Sequence, residues 1–167
     1  KLYNYSFSAK DNRKLNLNWW MEDANADTIE FIYKHRLITN SQTILKSSGS
    51  GAETLWDLRL LPSSTGNSSS FEFRLNNSQN ADTNIGSRGF SMSLAFDRMT
   101  DGQLWNVMLQ RMTSSNSTNI INEYRLHVSL QEDESIKTYN YATMSVSGGL
   151  PTDSNNIANK NFIGSGS

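Results

Sequence analysis

The side chains that could move protons here are two histidines, His35 and His127, and a scatter of acids. Hydrolysing a glycoside with retention needs two carboxyl groups about 5–5.5 Å apart. On a strand, that requires acids spaced so that they share one face. Glu30, Asp57 and Glu72 each stand alone on strand-like runs. Glu132, Asp133 and Glu134 are consecutive in a turn, where neighbouring side chains diverge. Neither set forms such a pair. Each histidine has an arginine nearby, Arg36 or Arg125, but a triad would also need a serine and a carboxylate delivered by the fold. Both histidines read as half-exposed surface imidazoles. The chain has no Cys, so disulfides, thiolate metal sites and thiol catalysis are all excluded. The expectation from these residues is that the protein is not an enzyme.

Binding chemistry has more to draw on. Ca²⁺ takes six to eight oxygen ligands, which loops rich in Asp and Asn can supply. The candidates are Asp82 with Asn84, Asp153 with Asn155, and Asp23 with Asp27. None has the D-x-D-x-D density of a dedicated site, so solvated turn residues are the leading reading. Trp19 and Trp20 are adjacent on a strand-like run, and adjacent strand residues point to opposite faces. One of the two must therefore leave the core, and Trp20, with Trp19 beside it, is a candidate ligand platform or packing surface. Trp56 and Trp105 are expected in the core.

Strands are the elements that position these groups. The centre of the chain is a hairpin over 101–128. In its first run Trp105, Val107, Leu109 and Arg111 alternate with Asn106, Met108, Gln110 and Met112. In the second, Tyr124, Leu126 and Val128 alternate with Arg125 and His127, after a polar loop expected over 113–122. A period of two marks half-buried strands. The same alternation predicts strands over 2–9, 15–20, 28–37, 42–51, 56–62, 70–77, 90–98, 135–146 and 161–166. No stretch predicts a helix of three turns. About ten short strands with turn signals between them predict a two-sheet antiparallel β-sandwich.

The segment Asp101-Gly102-Gln103, with Val107, Leu109, Arg111 and Arg125-Leu126-His127-Val128, resembles the laminin G-like and concanavalin A-like jelly rolls. The family's tryptophan would fall at Leu104, with Trp105 one place on. The runs 28–37, 42–51 and 161–166 are similar to further strands of that family. The resemblance implies a single jelly-roll domain over 1–167. It also implies a rim Ca²⁺ site in such domains, and a role in binding or adhesion. Some related jelly rolls are glucanases that carry an E-x-D-x-x-E strand, a motif this sequence lacks. The family's last strand, beyond its YIG segment, has no counterpart after Asn161-Phe162-Ile163. The first strand is therefore expected to lack its usual neighbour and to present an unpaired edge, which either a longer polypeptide or a strand from another chain would complete, as fits a piece of a larger protein.

Composition narrows the partners. A net charge of −1 gives no electrostatic case for nucleic acid. No apolar run is long enough for a membrane span. Low charge, abundant Ser, Thr and Asn, and absence of Cys suit an extracellular or virion protein. The expected function is a structural or adhesion module of an extracellular assembly, such as a phage tail, fibre or capsid-decorating protein, partnered by other subunits. The alternative is a carbohydrate-binding domain of a secreted or cell-surface bacterial protein, with glycans as partners.

Overall fold

The computed structural model describes residues 5–8, 27–34, 38–48, 54–63, 68–76, 89–97, 99, 101–115, 120–147 and 160–163. It contains ten strands: β1 (Tyr5–Ser8), β2 (Asp27–Tyr33), β3 (Gln42–Ser48), β4 (Thr54–Pro62), β5 (Ser69–Asn76), β6 (Gly89–Phe96), β7 (Trp105–Ser115), β8 (Ile120–Glu132), β9 (Ser135–Ser147) and β10 (Lys160–Ile163). They form a six-stranded sheet, ordered β1-β10-β3-β4-β5-β6, and a four-stranded sheet, ordered β2-β7-β8-β9. All pairings are antiparallel. The chain changes sheet between β1 and β2, β2 and β3, β6 and β7, and β9 and β10. This is an antiparallel jelly-roll sandwich, the fold class expected from the alternation. No helix among the described residues is long and apolar enough to cross a membrane.

Alternation puts one face of each sheet in the core. Trp56, Leu58 and Leu60 of β4, Phe71, Phe73 and Leu75 of β5, and Met92, Leu94 and Phe96 of β6 are all buried. Facing them across the sandwich are Trp105, Val107 and Leu109 of β7 and Tyr124, Leu126 and Val128 of β8. Aromatic rings lock the two sheets together: Phe73 meets Tyr124 at 5.4 Å, Phe96 meets Trp105 at 5.0 Å, and Tyr33 meets Phe71 edge-on at 5.6 Å. Burying each such side chain stabilises by about 1.5–3 kcal/mol. Burial also disfavours ionised phenols, so the Tyr33 pKa is raised to about 12 and that of Tyr124 is raised further.

Two details correct the sequence reading. The hairpin loop is much shorter than expected, because β7 and β8 pair as far as Ser115 with Ile120. Ile120 and Ile121 are β-branched and extend the ladder into what composition marked as loop. The first strand does have a neighbour on one side, since Tyr5–Ser8 pairs with Lys160–Ile163, which is inserted between β1 and β3; β1 stands at the end of the sheet, and its other edge is unpaired among the described residues. The strand expected over 15–20 lies outside the described residues.

Candidate functional site

The outward face of the four-stranded sheet is built by the residues that alternate with the core set. Ladder register places them in rows. Thr28, Gln110, Arg125 and Thr143 form one row across β2, β7, β8 and β9. Glu30, Met108, His127 and Tyr141 form the next, followed by Ile32, Asn106, Ser129 and Tyr139. A register shift after Leu130 then pairs Ile136 with Gln131 and returns it to the same face.

Three rings cluster in this face. The His127 imidazole lies near-parallel to the rings of Tyr141 and Tyr139, with centroids 5.7 and 6.0 Å away, and the two tyrosines are 6.2 Å apart. His127 Nδ1 shares a 2.7 Å hydrogen bond with Tyr139 Oη. Its Nε2 is enclosed and has no hydrogen-bond partner. Partial burial, helped by the Arg125 charge, lowers the His127 pKa and so favours the neutral ring. Tyr139 and Tyr141 remain 54% and 55% exposed, much wetter than the ordinary buried tyrosines Tyr33 and Tyr124.

Polar groups frame the rings in fixed positions. Asn106 Nδ2 donates to Glu30 Oε1 at 2.8 Å, and Gln110 Nε2 donates to Thr28 Oγ1 at 3.3 Å. Arg125 Nε donates to Glu123 Oε1. At the end of the face nearest the β8–β9 turn, Ile32, Leu104 and Ile136 are exposed apolar side chains. An aromatic centre with a few oriented amides and acids around it is the usual make-up of a site for a small organic ligand.

The outer face of the other sheet is different. There Arg74 Nε donates to Asp57 Oδ1 at 2.8 Å, and its Nη2 donates to Oδ2. Beside them, Arg59 Nε donates to Glu72 Oε2 at 2.6 Å. These are cross-strand neighbours on β4 and β5 that satisfy one another. Glu30, Asp57 and Glu72, read as lone acids, thus each have a partner, and none pairs with another acid.

Trp19, Trp20, Asp82, Asn84, Asp153, Asn155, Asp23 and His35 lie outside the described residues, as does the side chain of Asp27. Among the described residues no group of three or more His, Cys, Asp or Glu is placed to hold a metal. The sequence reading passed over Tyr139 and Tyr141. Their i, i+2 spacing on one strand was the available signal, because it puts both rings on one face. Their meeting with His127 depends on the β8–β9 register, which spacing alone does not specify.

No family model matches the chain, and no curated protein matches it. One solved structure, an alginate lyase from Alteromonas sp. 272, is similar at a TM-score of 0.36 and 12% identity. The match covers 83% of this chain and 49% of that one, so the chain spans about half the length of its structural neighbour. That neighbour is an enzyme, and the expectation that this protein is not one is corrected accordingly. The physical reason is that a missing carboxylate pair excludes one mechanism, not catalysis as such. A likeness this loose assigns no activity to the present chain.

Proposed function

We propose that this chain is a recognition module of an extracellular assembly, and that the outer face of its four-stranded sheet binds glycans. The observation that carries the proposal is the Tyr139–His127–Tyr141 cluster, with both tyrosines exposed on the outer face that also carries Asn106, Glu30 and Gln110. A pyranose ring has an apolar C–H face that packs on aromatic rings and a rim of hydroxyls that takes hydrogen bonds from amides and carboxylates. Low charge, abundant Ser and Asn, and the laminin G-like resemblance support an adhesive setting such as a virion tail, fibre or decoration, or a secreted bacterial protein.

The test is a glycan array, read with the wild-type chain and with Tyr141→Ala. The variant should lose at least about tenfold in affinity, worth about 1.4 kcal/mol. Its melting temperature should barely move, because the ring is more than half exposed. Selective binding that survives both Tyr141→Ala and Tyr139→Ala would place recognition elsewhere. A silent array, together with stable incorporation into a larger particle, would favour a purely structural module.

A further inference from the structure

We infer that the ligand of this face is a neutral glycan, and that the face discriminates against polyanionic saccharides such as polyuronates. The inference rests on the glycan-binding reading of the same face and adds the chemical class.

Charge placement carries the argument. A site for carboxylated or sulfated sugars needs cationic side chains free to meet each anionic group, most often arginines with an open planar fork. Among the described residues, the guanidinium in the middle of this face is that of Arg125, whose Nε is held by Glu123 of its own strand, so its charge is already offset by a neighbouring carboxylate. Burial and the Arg125 charge disfavour a proton on the central imidazole of His127. Glu30 sets a carboxylate on the face, in the same row as His127 with Met108 between them, and orients Asn106. That negative charge would repel a polyanion, while its remaining lone pairs accept from sugar hydroxyls. Two lysines stand at one end of the sheet, away from the centre. Lys137 is the extra residue in the β9 bulge, three to five positions from the acids Glu132, Asp133 and Glu134. Lys34 follows the last residue of β2.

The apolar border points the same way. Ile32 and Ile136 are 63% and 67% exposed, and Leu104, which precedes β7, is exposed as well. An ionised carboxylate laid against these side chains would lose hydration with nothing to replace it. The C–H faces of uncharged sugars, or deoxy and acetyl groups, lose nothing there and gain from burial.

The experiment is isothermal titration of the full chain with two sets of hexasaccharides. One set is neutral: glucan, mannan and galactan. The other is oligogalacturonate of equal length. Tyr141→Ala serves as the site control. At least one neutral probe should bind through the face, with the uronate at least about tenfold weaker. Affinity for the neutral probe should hold between about 0.1 and 1 M salt, since screening has no ligand charge to act on. If the uronate binds as tightly, or more tightly, and its affinity falls with salt and on Tyr141→Ala, the face is a glycan site but the inferred class is wrong. If neither set binds, the glycan reading of the face is overturned and this inference with it.

Discussion

Asp57 sits on an outward face yet is only 4% exposed, because Arg74 closes over it from the next strand. The two-point contact satisfies both carboxylate oxygens. Dehydrating Arg74 opposes its positive charge, but the Asp57 hydrogen bond and the Asp57 and Glu72 charges outweigh that and raise its pKa. The guanidinium therefore stays charged throughout the working range. Removing one partner should cost more than removing both. Arg74→Met should destabilise by about 1–3 kcal/mol, because it leaves a shielded carboxylate unsatisfied. Asp57→Leu combined with Arg74→Met should recover most of that loss. Denaturant melts of the single and double variants measure both. A double variant no better than Arg74→Met alone would show that the pair contributes through packing rather than charge.

The β8–β9 hairpin turns through two residues, Asp133 and Glu134, both with positive φ, at 48° and 61°. Glu132 and Ser135 pair on either side of them, which makes a two-residue connection of the primed kind that matches strand twist. Asn-Gly is the preferred sequence there, and a left-handed non-glycine residue costs roughly 1–2 kcal/mol. Asp133→Asn with Glu134→Gly should raise the melting temperature by several degrees; an unchanged or lower one would mean that the acids are held by contacts of their own. Strands were the legible part of this chain. Trp105, Val107 and Leu109 announce a buried face by alternation alone, and all three are buried. The bulges were not legible. Leu55, left without a partner by the shift in the β3–β4 register, is fully buried beside Trp56, although strict alternation would turn it outward. Ile136 is redirected in the same way. One extra residue inverts the pattern after it, and nothing local in the sequence announces it. The ring cluster was hidden for a related reason, since it joins two strands whose register is fixed by a turn rather than by composition.

The two outer faces divide the molecule's chemistry. One carries two cross-strand pairs of opposite charge that neutralise each other in place, and the other carries exposed rings among amides, the Glu30 carboxylate and the Arg125–Glu123 pair. Between them lies a core that joins the sheets through aromatic contacts. The placement of β1 and β10 has a mechanical consequence. Tyr5 pairs with Ile163 and Ser8 with Lys160, so the outer ends of these two strands lie at the same edge of the sheet. A pulling force applied through residues 5 and 163 loads the ladder like a zipper, one hydrogen-bonded pair at a time. A ladder loaded in shear would instead have to break all its bonds together. In single-molecule stretching from the chain ends, β1 should peel away at low force, before the main rupture of the sandwich. A single high-force event with no early step would refute this. Held under tension from both ends, the domain would yield first at this clasp while the β7–β9 face kept its shape.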